Sequence, residues 1–270
     1  LEPNLYSFKI LEAFLALADS ERTLNYPIHL KFNTGLNRIG FWHTDVPIIL
    51  SKIKASNNIL IASVFSHLAA SDDLNEQEFT QNQINSFSEI KKQLFTHLDY
   101  SPLSHLLNTS GIINYPEASY DMVRLGIGLY GFGNDTQETK QLKNVFSLTS
   151  IISQIHLIEP NESVGYNRAF IAKDKSTTAT IPIGHADGIS RKLGNGVGHV
   201  LINNQKAPII GNVCMDMIMV DIFAIDCKEG DQVIIFNSQD MVNEIAKKTG
   251  TISYEIITAI SQRVKKLIDN

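Results

Sequence analysis

At 270 residues, 43% hydrophobic and 19% charged, the chain has the composition of a soluble globular protein and is long enough for one large domain or two ordinary ones. A net charge of -5 supplies no basic footprint for nucleic acid, and no apolar run approaches the ~18–20 residues of a membrane helix. The N-terminus, LEPNLYSF, lacks a basic stretch and a long apolar core, and only Cys214 and Cys227 are present, so a reduced, cytoplasmic protein is expected.

The first half alternates helix and strand signals. Phe8, Leu11, Leu15 and Ala18 fall at helical spacing between Ser7 and Asp19, and residues 27–32 read as a short strand closed by Asn33-Thr34-Gly35. Residues 46–57 read as a helix with Pro47 in its first turn. Residues 59–65 read as a buried strand with Ser66-His67 at its end, 76–98 as a polar-faced helix, and 103–107 and 122–129 as further strands. This pattern predicts a parallel α/β arrangement, the later part of a (β/α)8 TIM-type barrel, with chemistry just beyond the strand ends. A complete barrel typically takes about 250 residues, so the first half is expected to be incomplete.

After about Asn134 the texture turns to strands separated by Gly- and Asn-rich turns: 145–158, 177–183, 199–202, 207–210, 217–223 and 232–236. A final helix pair is expected over 241–248 and 254–267. The expected organisation is a partial barrel over residues 1–138 and an all-β domain with terminal helices over 139–270.

Five segments carry the chemistry: LKFNTGLNRIGF (30–41), YDMVRLGIGLYGF (120–132), VGYNRAF (164–170), IPIGHADGISRKL (181–193) and APIIGNVCMDMIMVDI (207–222). In order and spacing they resemble alanine racemases, enzymes dependent on pyridoxal 5'-phosphate, and the resemblance runs over essentially the whole chain. It implies two-base interconversion of L- and D-alanine, supplying D-alanine for peptidoglycan, in a head-to-tail homodimer with shared active sites. Racemisation takes the Cα proton from one face and returns it on the other, so it needs two acid/base groups. By resemblance Tyr166 is one of them and is lent to the neighbouring subunit. A tyrosine titrates near ~10 and needs positive charge nearby to work near neutrality.

The resemblance places Arg124 at the pyridine nitrogen, where an arginine donates without releasing its proton. His67 would link that arginine to the tyrosine. Asn108, Thr109, Gly126 and Ile127 match phosphate contacts, with no P-loop in the chain. Arg38 matches an arginine at the cofactor ring and substrate, and Lys31 a lysine that some members carbamylate. Met215 and Asp216 match the loop that meets the substrate carboxylate, and no metal spacing occurs among the eight histidines.

The chain also departs from the family pattern. No lysine segment of the type AVVKANAYGHG occurs in the 270 residues. The chain, starting at Leu1, is therefore expected to be a C-terminal portion that lacks the cofactor lysine and is inactive alone. His185 stands where many members have a tyrosine at the site's mouth, Gln262 where many have a phosphate-binding tyrosine, and Asn33 where an aspartate is usual. A racemase of another amino acid such as serine, a non-catalytic cofactor-binding barrel, and a structural module of a cell-wall ligase fusion are the competing readings.

Overall fold

A computed structural model describes residues 1–134 and 136–268. It divides into two compact units, Leu1–Leu129 with Gly133–Leu142, and Tyr130–Phe132 with Lys143–Asn270.

The first unit is built on a parallel sheet in which strands follow each other in chain order: β1 (Asn4–Leu5), β2 (Tyr26–Lys31), β3 (Ile59–Phe65) and β4 (Leu103–His105). Parallel neighbours need crossovers, and the helices α1 (Phe8–Ser20), α2 (Val46–Lys54) and α3 (Gln77–Thr96) supply them. The Ser7 side chain caps α1 by accepting from the Ile10 amide, and a proline lies in the first turn of α2. Each helix turns one apolar face inward: Leu11 from α1, Ile49 and Ile53 from α2, Phe87, Ile90 and Leu94 from α3. These close on Ile28, Leu30, Ile61 and Val64 of the sheet. The outer strands β1 and β4 are only two and three residues long, which leaves little unpaired edge. Two short helices, α4 (Thr109–Asn114) and α5 (Thr136–Lys140), complete the unit.

Residues 122–129 were expected as a strand and are not one. Met122 makes a single parallel bridge to His105, and Ile127–Tyr130 is a 3-10 turn. The segment begins like the next strand of a barrel, then coils because Gly126 and Gly128 turn their amides onto the Thr109 hydroxyl, both at 3.2 Å.

The second unit is a seven-stranded antiparallel sheet, with β5 (Leu148–Ile151), β6 (Gln154–Ile158), β9 (Ser176–Ile181), β10 (His199–Ile202), β11 (Gln205–Ile210), β12 (Ile218–Asp221) and β13 (Gln232–Phe236). The hairpin β7 (Ser163–Val164) and β8 (Phe170–Ile171) and the helices α6 (Gln239–Thr249) and α7 (Ser253–Thr258) accompany it. The sheet order is β5-β13-β10-β11-β12-β9-β6, so its two outer strands are consecutive in the chain. Only Ile152 and Ser153 separate them, a span of roughly 7 Å, so the sheet curls until its edges nearly meet. The expected continuous strand over 145–158 is therefore two strands that pair with different partners, β13 and β9. A long final helix over 254–267 is likewise absent: α7 stops at Thr258, and the Ser261 amide turns back to donate to the Asp187 carbonyl.

Phe87 has no exposed surface and touches the Tyr120 ring edge-on at 5.3 Å. Phe87→Ala should cost about 3–5 kcal/mol, read as a lowered denaturant midpoint at unchanged slope.

Candidate active site

In the first unit the sequence-predicted groups on β2, β3 and β4 lie at or past the strand ends. Chain leaving β2 carries Lys31, Asn33 and Arg38; chain leaving β3 carries Ser66 and His67; chain leaving β4 carries Asn108 and Thr109. Arg124 lies on the segment that bridges β4. A parallel sheet gathers such ends along one edge, so distant sequence positions become neighbours.

Arg124 is the hub. Its Nη2 donates to the carbonyls of Ser66 (2.7 Å) and Leu106 (2.9 Å) and lies 3.2 Å from His67 Nδ1. Its Nη1 bonds His105 Nδ1. The guanidinium also sits 5.2 Å over the Phe65 ring, whose face stacks on His105 at 4.7 Å and 12°. Burial pushes Arg124 down to about 10, still a cation at neutral pH. Burial first, then the charge of Arg124, pushes both His67 and His105 down to about 4. Both rings are thus neutral near pH 7 and can accept from the guanidinium.

Lys31 is buried, with its Nζ 5.7 Å over the same Phe65 ring. Burial lowers its pKa, and the charges of Arg38 and Arg124 lower it further. Arg38 itself is exposed. Three cationic side chains therefore share this edge, and their combined field favours an anion.

Asn33 stands where the family commonly has aspartate, and its role is local. Its Oδ1 accepts from the Gly35 (3.1 Å) and Asn37 (3.0 Å) amides while its Nδ2 donates to Asn37 Oδ1 (2.9 Å). A carboxylate could not make the last bond. Asn108 caps α4: its Oδ1 accepts from the Gly111 amide and the Ser71 hydroxyl, both at 2.9 Å. The two glycines differ. A Cβ at Gly128 would meet Thr109 Cγ2 at 2.8 Å, so close packing explains that glycine. At Gly126 the nearest atom would be Thr109 Oγ1 at 3.8 Å, so close packing does not account for that glycine, and there is space beside its Cα although its amide donates to Thr109 Oγ1.

In the second unit Tyr166 is 71% exposed on the loop joining β7 and β8. Its loop holds Gly165, Asn167 and Arg168 at positive φ (77, 61 and 51°), a costly conformation for the arginine. Local contacts maintain it: Arg168 Nε donates to Ser163 Oγ, and Asn212 Nδ2 to the Tyr166 carbonyl. Asn212 leads into Cys214, Met215 and Asp216. The His185 and Ala186 amides donate to the Cys214 and Met215 carbonyls, both at 2.9 Å. At Gly184 a Cβ would clash with the carbonyl oxygens of Cys214 (2.5 Å) and Met215. Arg263, itself exposed, then bridges the buried Asp187 (2.9 Å) and the exposed Asp216 (2.5 Å), and the hydrogen bond to Asp216 and the charge of Asp187 raise the arginine's pKa. Tyr166, His185, Met215 and Asp216 thus share one connected loop system, and Gln262 adjoins it through Arg263.

Sequence reasoning missed Phe65 and His105. His105 ends a strand as His67 nearly does, which was a usable signal; nothing in the sequence marked Phe65 as the surface beneath two cations.

A family model described as the N-terminal domain of alanine racemase matches residues 1–133, and one described as its C-terminal domain matches 145–268. The chain belongs to the alanine racemase family. It matches both family domains. Alanine racemase 1 of Clostridium acetobutylicum is 34% identical over 276 residues, covering 99% of this chain and 71% of that protein. The alanine racemase of Clostridium difficile 630 superposes with a TM-score of 0.89 at 32% identity, over 98% of this chain and 70% of that one. The Bartonella henselae alanine racemase, solved with covalently bound pyridoxal phosphate, gives a TM-score of 0.82 at 29% identity, over 99% of this chain and 73% of that one. These likenesses uphold the expected fold class, a TIM-type barrel domain followed by a β-rich domain.

Two outcomes follow. Gly184→Ala should lower the melting temperature, with a cost of about 2 kcal/mol or more, because backbone oxygens rather than a flexible side chain oppose the new atom. His67 and His105 have folded-state values below the unfolded value near 6.5, so the unfolded chain binds more protons between the two. Their contribution to stability is full above about pH 6.5 and is lost as pH falls toward 4. Denaturation followed against pH should show that loss, and His105→Gln should flatten it.

Proposed function

We propose that the protein is an alanine racemase that uses pyridoxal phosphate to interconvert L- and D-alanine, making D-alanine for peptidoglycan. The observation that carries this reading is the cationic edge of the first unit, where Arg124 is held by neutral acceptors only. The fit to the cofactor rests on this donor set. Lys31, Arg38 and Arg124 provide positive charge for an anionic ligand, and Gly126 leaves space beside its Cα. When bound, the cofactor supplies an electron sink that acidifies the amino acid's Cα–H.

The chain's own groups then have separate tasks. Arg124 donates toward the cofactor's ring nitrogen and, as a guanidinium, keeps its proton there. Burial and then the charge of Arg124 keep the His67 ring neutral beside it, so that it can accept from the guanidinium. Thr109 and the backbone at Gly126 and Ile127 form the phosphate cradle, with Asn108 fixing the turn that presents Thr109. Arg38 reaches the cofactor ring and the substrate carboxylate. Tyr166 moves the Cα proton on the L-face at its phenol oxygen, while Met215 and Asp216 shape the loop that meets the carboxylate. We assign Tyr166 and Met215 to the site of a second subunit in a head-to-tail homodimer, in a reduced, cytoplasmic setting where Cys214 and Cys227 stay free.

Lys31 is the natural carbamylation site. Its lowered pKa leaves more of the free amine, which adds to carbon dioxide and releases one proton. The resulting anion would neutralise part of the field that Arg38 and Arg124 impose. A second reading, racemisation of another small amino acid such as serine, is favoured by the exposed polar ring of His185 on the substrate loop.

Supplied together with a segment carrying the family's cofactor lysine, which the 270 residues do not contain, the protein with pyridoxal phosphate in deuterated water should exchange the Cα proton of L-alanine and accumulate D-alanine, followed by proton NMR and chiral chromatography. Absence of exchange sinks the assignment, and faster exchange of serine favours the second reading. Tyr166→Phe should slow exchange from L-alanine by about 10²–10⁴-fold. With ¹³C-bicarbonate a carbamate carbon resonance should appear and be lost in Lys31→Ala.

A further inference from the structure

The Arg124–His105 bond continues away from the site. His105 Nε2 lies 3.1 Å from Ser63 Oγ, Ser63 Oγ lies 2.6 Å from His29 Nδ1, and His29 Nε2 lies 2.8 Å from Glu2 Oε2. These residues sit on neighbouring strands or just before one: His105 on β4, Ser63 on β3, His29 on β2, and Glu2 two residues ahead of Asn4, which pairs with His29. A register shift makes the alignment. Ile28 pairs with Ile61 but His29 pairs with Ser63, so Ala62 is passed over and the hydroxyl is brought level with the imidazole. Ser63 and His105 are buried, at 1% and 5% exposure, so water cannot substitute for a missing link.

Hydrogen-bond chemistry fixes the direction of this series at both ends. An arginine carries only donors, so His105 Nδ1 must accept and its Nε2 must hold the proton. That N–H donates to Ser63 Oγ, whose own proton goes to His29 Nδ1. His29 then carries its proton on Nε2 and donates it to the Glu2 carboxylate, which only accepts. Reading from Glu2 inward, with His29 as a neutral ring, gives the same assignment. A series that a cation begins and an anion ends is polarised along its length, and its bonds reinforce one another.

We propose that Ser63, His29 and Glu2 are positioning residues for Arg124: with His105 they form a one-directional hydrogen-bond chain that fixes His105 as an acceptor and so fixes the guanidinium's orientation. The proposal rests on the reading that Arg124 faces the cofactor. It adds three residues that touch neither cofactor nor substrate. The stacked Phe65 ring holds the plane of His105, and the chain holds its tautomer.

Nitrogen-15 NMR of histidine-labelled protein, with and without pyridoxal phosphate, tests this. His105 and His29 should both show a bare Nδ1 and a protonated Nε2 at pH 7. In Ser63→Ala the signals of both rings should move, and the His105 Nε2 proton should exchange with solvent at least about fivefold faster, the loss of one buried hydrogen bond. Ser63→Thr, which keeps the hydroxyl, should restore both signals. A proton on Nδ1 of either ring in the unsubstituted protein overturns the proposal, as does a Ser63→Ala spectrum in which His105 is unmoved. Failure of the cofactor reading shows itself elsewhere, as an absorption spectrum of bound pyridoxal phosphate that Arg124→Lys leaves unchanged.

Discussion

A guanidinium half-buried at the ends of parallel strands sets the terms for everything around it. Taking such a charge out of water is costly unless its donors find acceptors, and the fold supplies two carbonyls and two imidazoles. The carbonyls of Ser66 and Leu106 are available because β3 and β4 have ended and their backbone is no longer committed to sheet bonds. The imidazoles must be neutral to accept, and burial first, then the neighbouring cation, makes them so. Site and strand ends are thus one requirement met twice.

Burial, and then the charges of Arg38 and Arg124, explain why the neighbouring lysine is unusual. A lysine with open solvent around it would keep its ordinary basicity. Lys31 instead lies over the aromatic face that also carries Arg124, and both arginines act on its charge. Phe65 offers a favourable surface that both cations share, since an aromatic face attracts positive charge without being an anion.

How much of this was readable in advance follows from what each feature depends on. Helical spacing and capping are local, and α1, α2 and α3 fall close to where periodicity placed them. The motif residues at strand ends were legible because parallel sheets collect chemistry there. What failed depended on distant partners. The run over 145–158 reads as one strand, and nothing inside it says that its two halves pair with different strands. Residues 122–129 have strand-like composition, but a threonine hydroxyl in another segment takes two of their amides. The hydrogen-bond chain from Arg124 to Glu2 was out of reach for the same reason. It needs a one-residue shift between β2 and β3, which no property of either strand announces.

The contact between Gly184 and the Cys214–Met215 backbone has a consequence for how the protein can change. With no room for even a methyl group between them, the loop bearing His185 and the loop bearing Met215 are held in direct backbone contact. Backbone shifts of one relative to the other are closed to mutation. Divergence toward a new substrate must therefore proceed by exchanging side chains at positions such as 185, on a platform whose shape is inherited unchanged.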